Sequence, residues 1–410
     1  MRRNRVWTLT SAALLLSGPM AVAMADDAGD LGTALTTGKV GVQVRARYEH
    51  VEQDNFAEKA DALSARLRLN YATGQWNGWS AFAEFDHVFH ILDDFNSGAG
   101  TSPGKGQYPV VADPQGSDLN QLYLDYTVAD DWKTRLGRQR ILLDNQRFVG
   151  GVGWRQNEQT YDSLTINSDA IGNTTLHYSY VANVRRIFGE TVAAGSDKSN
   201  HHLLNAKINL NESWSLVPYL YYLDYNAASR AAASSATFGA RFAGKFDAGD
   251  GKLAVVLEFA TQSDAGDNPN NYDADYLHAD AMWALRDDLS IGLGYENLGS
   301  DNGLQSFSTP LATLHKFQGW ADQFVATPAA GIEDVYATIK FTAGNWNLTG
   351  VYHDFSADTG GAAFGKELDV SAATSLGSNY GLLFKGAFFS ADAPAYTDTN
   401  KFWIMLTASY

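Results

Sequence analysis

The 410-residue sequence has no cysteine and only 9 prolines. The absence of cysteine excludes disulfides and thiolate metal sites as sources of stability. The scarcity of proline argues against a disordered, proline-rich linker protein. Stability must therefore come from a large hydrogen-bonded framework. No break in composition separates one part of the chain from another, and a single domain is the simplest interpretation.

Long apolar runs and positive charge are also scarce. Beyond the first 25 residues no apolar run reaches the roughly 18 residues that a membrane-spanning helix needs, which excludes transmembrane helices. Acidic residues outnumber basic ones, 46 to 30, and the formal net charge is −16. Such a chain is a poor partner for nucleic acid, because phosphates require basic surface.

The first residues predict a secretory leader. A cationic head over 1–5 precedes a short apolar stretch over 6–16, and small residues close the segment at 23–25. This order is typical of a signal peptide, here residues 1–25. A retained membrane anchor is disfavoured because the apolar stretch is too short to span a bilayer. Loss of three arginines and no acid would change the net charge of residues 26–410 from −16 to −19.

Apolar and polar residues alternate along most of the remaining chain. Because successive side chains of a strand point to opposite faces, each alternating segment predicts a β-strand with one apolar and one polar face. The apolar rows contain no charge. Clear examples lie at 40–48, 63–71, 253–259, 279–285, 289–295, 335–341 and 368–376.

The connections between these segments alternate between short and long. Tight periplasmic turns and long outer loops are typical of an outer-membrane β-barrel. We therefore predict an all-β fold, a transmembrane antiparallel up-and-down β-barrel of about 18 strands over residues 26–410. Sixteen strands are also possible, because the alternation is blurred at 161–167 and 215–225.

Aromatic residues support a membrane barrel over a soluble β-sandwich or propeller. Several sit just past short turns, where an aromatic belt at the periplasmic boundary would place them. They are Trp79, Trp132, Trp214, Trp346 and Tyr380. The last segment alternates and ends on Tyr410, which is similar to the recognition signal of barrels assembled into the bacterial outer membrane.

Arginine is concentrated in the first half of the predicted mature chain. The predicted lumen face carries Arg45, Arg47, Arg66, Arg68 and Arg135, with Lys133 beside them. Arginine binds carboxylates through two parallel hydrogen bonds and keeps its charge at any working pH. One interpretation is a cationic wall that guides anionic substrates such as uronate polymers or oligomers. The other is a mixed-charge lumen whose arginines pair with Glu84, Asp86, Asp125, Asp144 and Asp162.

Two motifs are more specific. The first is GRQRILLDNQRFVG over 137–150, followed by Trp-Arg-Gln at 154–156, and the second is TPLATLHKFQGWADQF over 309–324. Together they resemble the alginate-export family of outer-membrane barrels, and the resemblance covers most of the predicted mature chain. It implies an arginine-lined pore through which a polyuronate leaves the cell. The motif positions it assigns to the pore are Arg138, Arg140, Arg147, Arg155, His315 and Lys316.

The outer loops are shorter than those of the alginate exporter itself, so an uptake porin or a general anion channel also fits. The loop over 299–334 is too long for a plain connection. It carries four aromatic residues, which favour a plug or constriction folded into the barrel mouth over an outward cap. They are Phe307, Phe317, Trp320 and Phe324.

Metal sites are disfavoured. An acidic loop could hold calcium, but its spacing does not fit an EF-hand, and a solvated loop is the preferred interpretation. Its members are Asp264, Asp267, Asp273 and Asp275. Histidines at 87, 90, 201 and 202 lack a zinc-binding spacing, and ordinary polar roles are preferred.

A channel is therefore the leading functional hypothesis. An outer-membrane hydrolase is the second, although no Gly-x-Ser-x-Gly elbow or triad stands out. A structural or adhesive barrel with a blocked lumen is the third. The channel needs no cofactor. Its expected partners are an anionic polysaccharide or oligosaccharide, outer-membrane lipid and lipopolysaccharide, without nucleic acid, and a monomer is favoured.

Overall fold

The computed structural model describes residues 29–410, so the predicted leader over 1–25 lies outside the described residues. The described chain forms one short α-helix, α1 (Leu31–Thr36), three short 3-10 helices (Ala193–Gly195, Ala228–Ala233 and Leu314–Lys316) and twenty strands. The strands are β1 (Lys39–Gln53), β2 (Ala60–Ala72), β3 (Trp79–Asp94), β4 (Gly116–Ala129), β5 (Trp132–Gln139), β6 (Thr160–Ile171), β7 (Thr174–Arg185), β8 (Ser196–Asn209), β9 (Trp214–Leu223), β10 (Ser235–Ala248), β11 (Gly251–Asp264), β12 (Asp273–Arg286), β13 (Leu289–Leu298), β14 (Ser300–Asp301), β15 (Gln305–Ser306), β16 (Ile332–Ala343), β17 (Trp346–Ser356), β18 (Ala363–Leu376), β19 (Tyr380–Ala391) and β20 (Thr399–Ser409).

Eighteen of these strands close an antiparallel barrel, which confirms the predicted fold. Each barrel strand pairs with the next one along the chain, and β13 pairs with β16 across the small β14–β15 hairpin. The pairing of β1 with β20 closes the ring. The two blurred segments form β6 and β9, which settles the count at eighteen rather than sixteen. A closed barrel leaves no unpaired strand edge in lipid.

The alternation seen in the sequence becomes the two faces of the wall. In β1, Val40 and Val44 are exposed on the outside, whereas Arg45, Arg47 and Glu49 are buried on the lumen side. The same alternation places the apolar rows of the other strands on the outer face. Lipid contacts the apolar face and the enclosed space receives the polar one.

Tight turns connect the strands at one end of the barrel. Asn77 and Gly78 both have positive φ, 48° and 82°, in the turn before β3. This geometry is a type I′ turn, which matches the twist of the paired strands. It joins Trp76 to Trp79 by reciprocal backbone hydrogen bonds of 2.8 and 2.9 Å. The five predicted belt aromatics each begin a strand after such a turn, at the start of β3, β5, β9, β17 and β19.

Long loops connect the strands at the other end, and two of them fold inward. Residues 140–159 and 299–331 pack on each other and on the lumen side of the wall, where they form the main hydrophobic core. Phe307 and Phe324 are buried in it. The predicted plug is therefore confirmed. Within residues 29–410, the one α-helix is too short to cross a bilayer.

Candidate functional site

The loop over 140–159 is held against the wall by arginines of β1 and β2. Arg45 and Arg66 lie directly opposite each other across the β1–β2 ladder. Arg45 donates hydrogen bonds to the Gly153 carbonyl and to Gln156 Oε1, both at 2.9 Å, and to the Arg155 carbonyl. Arg66 donates to the Gln156 carbonyl at 3.1 Å. These guanidinium groups therefore bind the loop backbone.

The loop covers these arginines almost completely. Arg45, Arg47 and Arg66 are 3%, 1% and 2% exposed. Arg47 is paired with Asp113 and also donates to the Trp154 carbonyl. No carboxylate of residues 29–410 lies within 4.0 Å of the Arg45 guanidinium. The predicted cationic wall is thus largely hidden behind the loop and not exposed to lumen water.

Arg68 and Arg140 share a loop acid, Glu158. Arg68 lies 2.6 Å from Asp86 and 2.9 Å from Glu158. Arg140 donates from Nε to Glu158. Burial raises the pKa of Glu158, but Arg140, Arg68 and Arg66 together hold it well below its ordinary value. Glu158 therefore remains charged and anchors the end of the loop.

Lower in the lumen, β5 carries a second basic pair. Arg135 Nε lies 2.6 Å from Asp125 Oδ1, and Lys133 Nζ lies 2.9 Å from Asp125 Oδ2. The Arg135 guanidinium also stacks 3.7 Å from the ring centre of Tyr123. Both cations are only partly buried, so they remain accessible to lumen water.

Arg138 lies on the outer face of the barrel. Its directly opposite partners are Leu122 on β4 and Asp162 on β6, and opposite residues of antiparallel strands project to the same face. Leu122 is among the exposed apolar residues of the wall. Arg138 pairs there with Asp162 at 3.0 Å and Glu190 at 2.8 Å. Its assignment to the pore, taken from the motif, is not supported by this position.

The loop over 299–331 is attached to the opposite wall. Trp320 N donates to Asp369 Oδ2 at 3.1 Å, and Ala321 N donates to Glu367 Oε1 at 2.7 Å. Arg147 of the loop over 140–159 forms a buried ion pair with Glu296 of β13 at 2.8 Å, and Glu296 also accepts a hydrogen bond from Gln318. Carboxylates of the wall strands β18 and β13 thus hold the inward loops in place.

His315 lies at the centre of a buried network. Its Nδ1 is 2.7 Å from Asp322 Oδ1, and its Nε2 is 2.7 Å from Lys385 Nζ. Asp322 also lies 3.0 Å from Arg155 and 2.8 Å from Lys401. Burial lowers the pKa of His315 to about 3, although Asp322 acts in the opposite direction. The ring is therefore neutral, and the network joins both loops to the wall.

Lys316 lies next to this network but faces another part of the lumen. Its Nζ donates to the Asn145 carbonyl at 2.8 Å and lies 5.7 Å from the ring centre of Phe317. Burial lowers the pKa of Lys316 to about 8, and the nearby Arg241 and Lys340 act in the same direction.

Four of the five predicted acid partners do pair with arginine. Arg140 lies 2.5 Å from Glu84, and Asp86, Asp125 and Asp162 are paired as described above. Asp144 instead accepts a hydrogen bond from Asn205 at 2.8 Å. Four residues of these networks were not predicted from the sequence. They are the loop acids Asp113 and Asp322 and the wall lysines Lys385 and Lys401. The lumen phase of β19 and β20 could have pointed to the two lysines.

The described part of the chain brings no cluster of metal-ligating side chains together. Among residues 29–410 no group of three His, Asp or Glu side chains is arranged to hold a metal ion. The acidic loop after β11 forms no such group either.

A closed eighteen-stranded barrel with a lipid-facing apolar surface and a charged lumen narrowed by inward loops defines an outer-membrane channel, not an enzyme. Residues 37–381 match the alginate export family, and the chain belongs to that family. No curated protein sequence matches the chain.

Several solved structures share this fold, and one of them is an outer membrane protein. The chain is similar to OpdK from Pseudomonas aeruginosa, with 15% identity over 92% of this chain and 99% of that one and a TM-score of 0.71. It is similar to OccAB2 from Acinetobacter baumannii, with 14% identity over 92% and 99% of the two chains and a TM-score of 0.71. It is also similar to OccK3 (OpdO) from Pseudomonas aeruginosa, with 13% identity over 93% of this chain and 97% of that one and a TM-score of 0.70. Its family and its closed barrel together make the chain a porin of the bacterial outer membrane.

Proposed function

We propose that this porin passes small anionic solutes, in particular acidic sugars and short uronate oligomers, through its lumen. The supporting observation is that two inward loops narrow the outer half of the lumen. Cations that lumen water can reach lie along the rest of the path that a solute would take. Among the residues assigned from the sequence these are Lys133, Arg135, Arg140 and Lys316. Transport of this kind needs no cofactor.

The buried attachments of the loops favour oligomers over a long polymer. Passage of a polymer would require the loops to move, and Arg147–Glu296 and Arg155–Asp322 are buried ion pairs that oppose this. OpdK has been crystallised with vanillate, a small carboxylate. A solute of that chemical class is compatible with the narrowed lumen of this chain.

A general anion-preferring diffusion channel is the second candidate. Most lumen cations are already bonded to carboxylates, as Arg135 is to Asp125 at 2.6 Å. Paired charges attract an anion only modestly, and conduction requires contacts weak enough to release the solute. Such paired cations suit a channel that selects anions in general as well as one that recognises a particular acidic sugar.

The purified protein in planar bilayers tests both candidates. Under a potassium chloride gradient we expect a reversal potential with the sign of anion preference. Galacturonate oligomers should then interrupt the current at concentrations where neutral glucose oligomers of the same length do not. Equal effects of both oligomers would leave only the general anion channel, and cation preference would contradict the proposal as a whole.

A further inference from the structure

Several lumen-facing lysines lie near the turn end of the barrel, and four of them form one group: Lys133, Lys207, Lys245 and Lys340. Lys252 in β11 has the same phase but pairs with Asp247 at 3.0 Å. The strands of the four lysines, β5, β8, β10 and β16, span about half of the circumference. Each lysine is within four residues of the turn-side end of its strand. At about 3.3 Å per residue, all four lie within roughly 12 Å of the turns. We call this set the lysine arc.

The strand register places the arc on the lumen side. Lys207 shares its face of β8 with Leu203 and Asn205, both buried in the lumen, whereas Leu204 between them is exposed outside. In β16, Lys340 has the same phase as the buried Asp334. Lys245 is opposite Ala254, which shares its face of β11 with the buried Glu258.

Three of the four lysines have no acidic partner. Among residues 29–410 no carboxylate oxygen lies within 4.0 Å of Nζ in Lys207, Lys245 or Lys340. Asp280, whose charge acts on Lys340, accepts a hydrogen bond from Tyr336 Oη at 3.1 Å, and other lumen acids near the turns also have partners. Asp125 is bonded to Lys133 and Arg135, Asp169 accepts from Thr175 Oγ1 at 2.5 Å, and Asp247 pairs with Lys252 at 3.0 Å.

We propose that the lysine arc, not the arginine group on β1 and β2, is the anion-selecting band of this channel. Arg45, Arg47 and Arg66 are covered by the loop over 140–159 and cannot exchange a solute without its release. Lys207 and Lys245 are exposed to the lumen, and Lys340 is half-buried. Rings of charged side chains select ions in this way, because exposed ammonium groups attract carboxylates and release them readily.

The lysine arc also extends a row of cations that begins nearer the loop end of the lumen. Lys316, in the loop over 299–331, is close enough to Lys340 for their charges to interact. An anion near Lys316 is therefore also attracted by Lys340. The ligand class is a small mono- or dicarboxylate, or one uronate unit of an oligomer. This inference rests on the proposed function.

The test compares two triple variants of equal charge change in bilayers. The lumen triple is K207Q/K245Q/K340Q. The control triple is K59Q/K105Q/K366Q, whose lysines lie on the loop side and pair with Glu52, Asp93, Asp94 and Asp354. We expect the lumen triple to lower the anion-to-cation permeability ratio at least about threefold at 0.1 M salt, and less at 1 M. The control should keep the wild-type ratio.

The possible outcomes separate the two ideas. A wild-type channel without anion preference would contradict the proposed function itself. An anion-preferring wild type whose lumen triple keeps the same ratio would overturn the lysine arc alone, as would equal shifts in both triples. Heat-modifiable gel mobility verifies folding of each variant. The three single lumen substitutions provide the same comparison with smaller shifts.

Discussion

Buried arginines of this barrel fall into two kinds that respond differently to substitution. Arg147 is paired with the buried carboxylate of Glu296 at 2.8 Å. Arg45 is bonded to Gln156 and to the carbonyls of Gly153 and Arg155. Removing Arg147 leaves a buried charge without its counterion, whereas removing Arg45 leaves only neutral acceptors. The energetic consequences therefore differ although both side chains are buried.

We expect Arg147→Met to lower the free energy of unfolding by about 3–5 kcal/mol, because Glu296 loses its ion pair in the interior. Arg45→Met should cost about 1–3 kcal/mol, the range for buried groups left without a hydrogen bond. Urea unfolding in lipid vesicles measures both values. A cost for Arg45→Met equal to or above that of Arg147→Met would contradict this account of the two arginines.

The plug loop depends on close backbone approach at one glycine. Gly319 has a φ of +78°, and a Cβ atom placed there would lie 2.3 Å from Glu367 Oε2. Gly303 in the same loop has a φ of +79°, but a Cβ atom there would meet nothing within 4 Å. The two positions have nearly the same φ and differ in the space around them.

Gly319→Ala should therefore perturb the plug more than Gly303→Ala. Both substitutions carry the left-handed backbone cost of about 1–2 kcal/mol. Only Gly319→Ala adds a clash with a buried carboxylate that also accepts from Ala321 N. We expect larger single-channel current fluctuations for Gly319→Ala. Equal noise in the two variants would show that the contact with Glu367 does not hold the loop.

Acid should also loosen the plug loop. Burial lowers the pKa of His315 to about 3 from its ordinary 6.5, so the unfolded or released loop binds this proton more readily than the packed one. Stability from neutral His315 is present above pH 6.5 and is lost as the pH falls toward 3. Burial raises the pKa of Asp322, yet His315, Lys401 and Arg155 hold it well below 3.8. Its contribution is also lost on acidification, below the ordinary carboxyl range.

Channel recordings at pH 7 and pH 4.5 measure this effect, with more frequent opening expected at pH 4.5. The charged groups facing His315 are Asp322 on its own loop, Arg155 on the neighbouring loop and Lys385 on β19. His315→Asn removes the titrating group and should flatten the pH dependence. Unchanged pH dependence in that variant would assign the effect to other groups.

Neighbouring residues of a barrel strand face different environments, lipid on the outside and water in the lumen. Leu257 in β11 is exposed on the lipid face, and its neighbour Val256 faces the lumen opposite Asp280. Near the middle of a membrane strand an outward arginine lies in hydrocarbon, whereas an inward one lies in water. The same substitution at adjacent positions therefore meets opposite environments.

We expect Leu257→Arg to lower the free energy of unfolding in vesicles by about 2–4 kcal/mol. Val256→Arg should cost much less, because its guanidinium reaches lumen water and the carboxylate of Asp280. Urea titration of both variants in the same lipid provides the comparison. Similar costs for the two variants would contradict the assignment of the faces.

Periodicity alone predicts much of this molecule. Alternation over 40–48 or 253–259 identifies the strands and the face of each residue, because side-chain direction in a strand is a local property. Most of the strands and the aromatic starts of β3 and β5 follow from such local patterns, whereas the choice of eighteen strands over sixteen required the pairing of β6 and β9. Arg135 and Arg138 are three residues apart and so face opposite sides, although both were predicted to line the pore, Arg135 from its strand phase and Arg138 from the motif.

Contacts between distant parts of the chain decided the rest. Arg45 meets Gln156 at a separation of 111 residues, and no local pattern states that a loop will cover the arginines of β1 and β2. Whether a lumen cation is hidden or exposed depends on where 140–159 and 299–331 fold. The sequence determines which side chains point inward, and only tertiary packing determines which of them the solute can reach, because loop burial is set by long-range contacts.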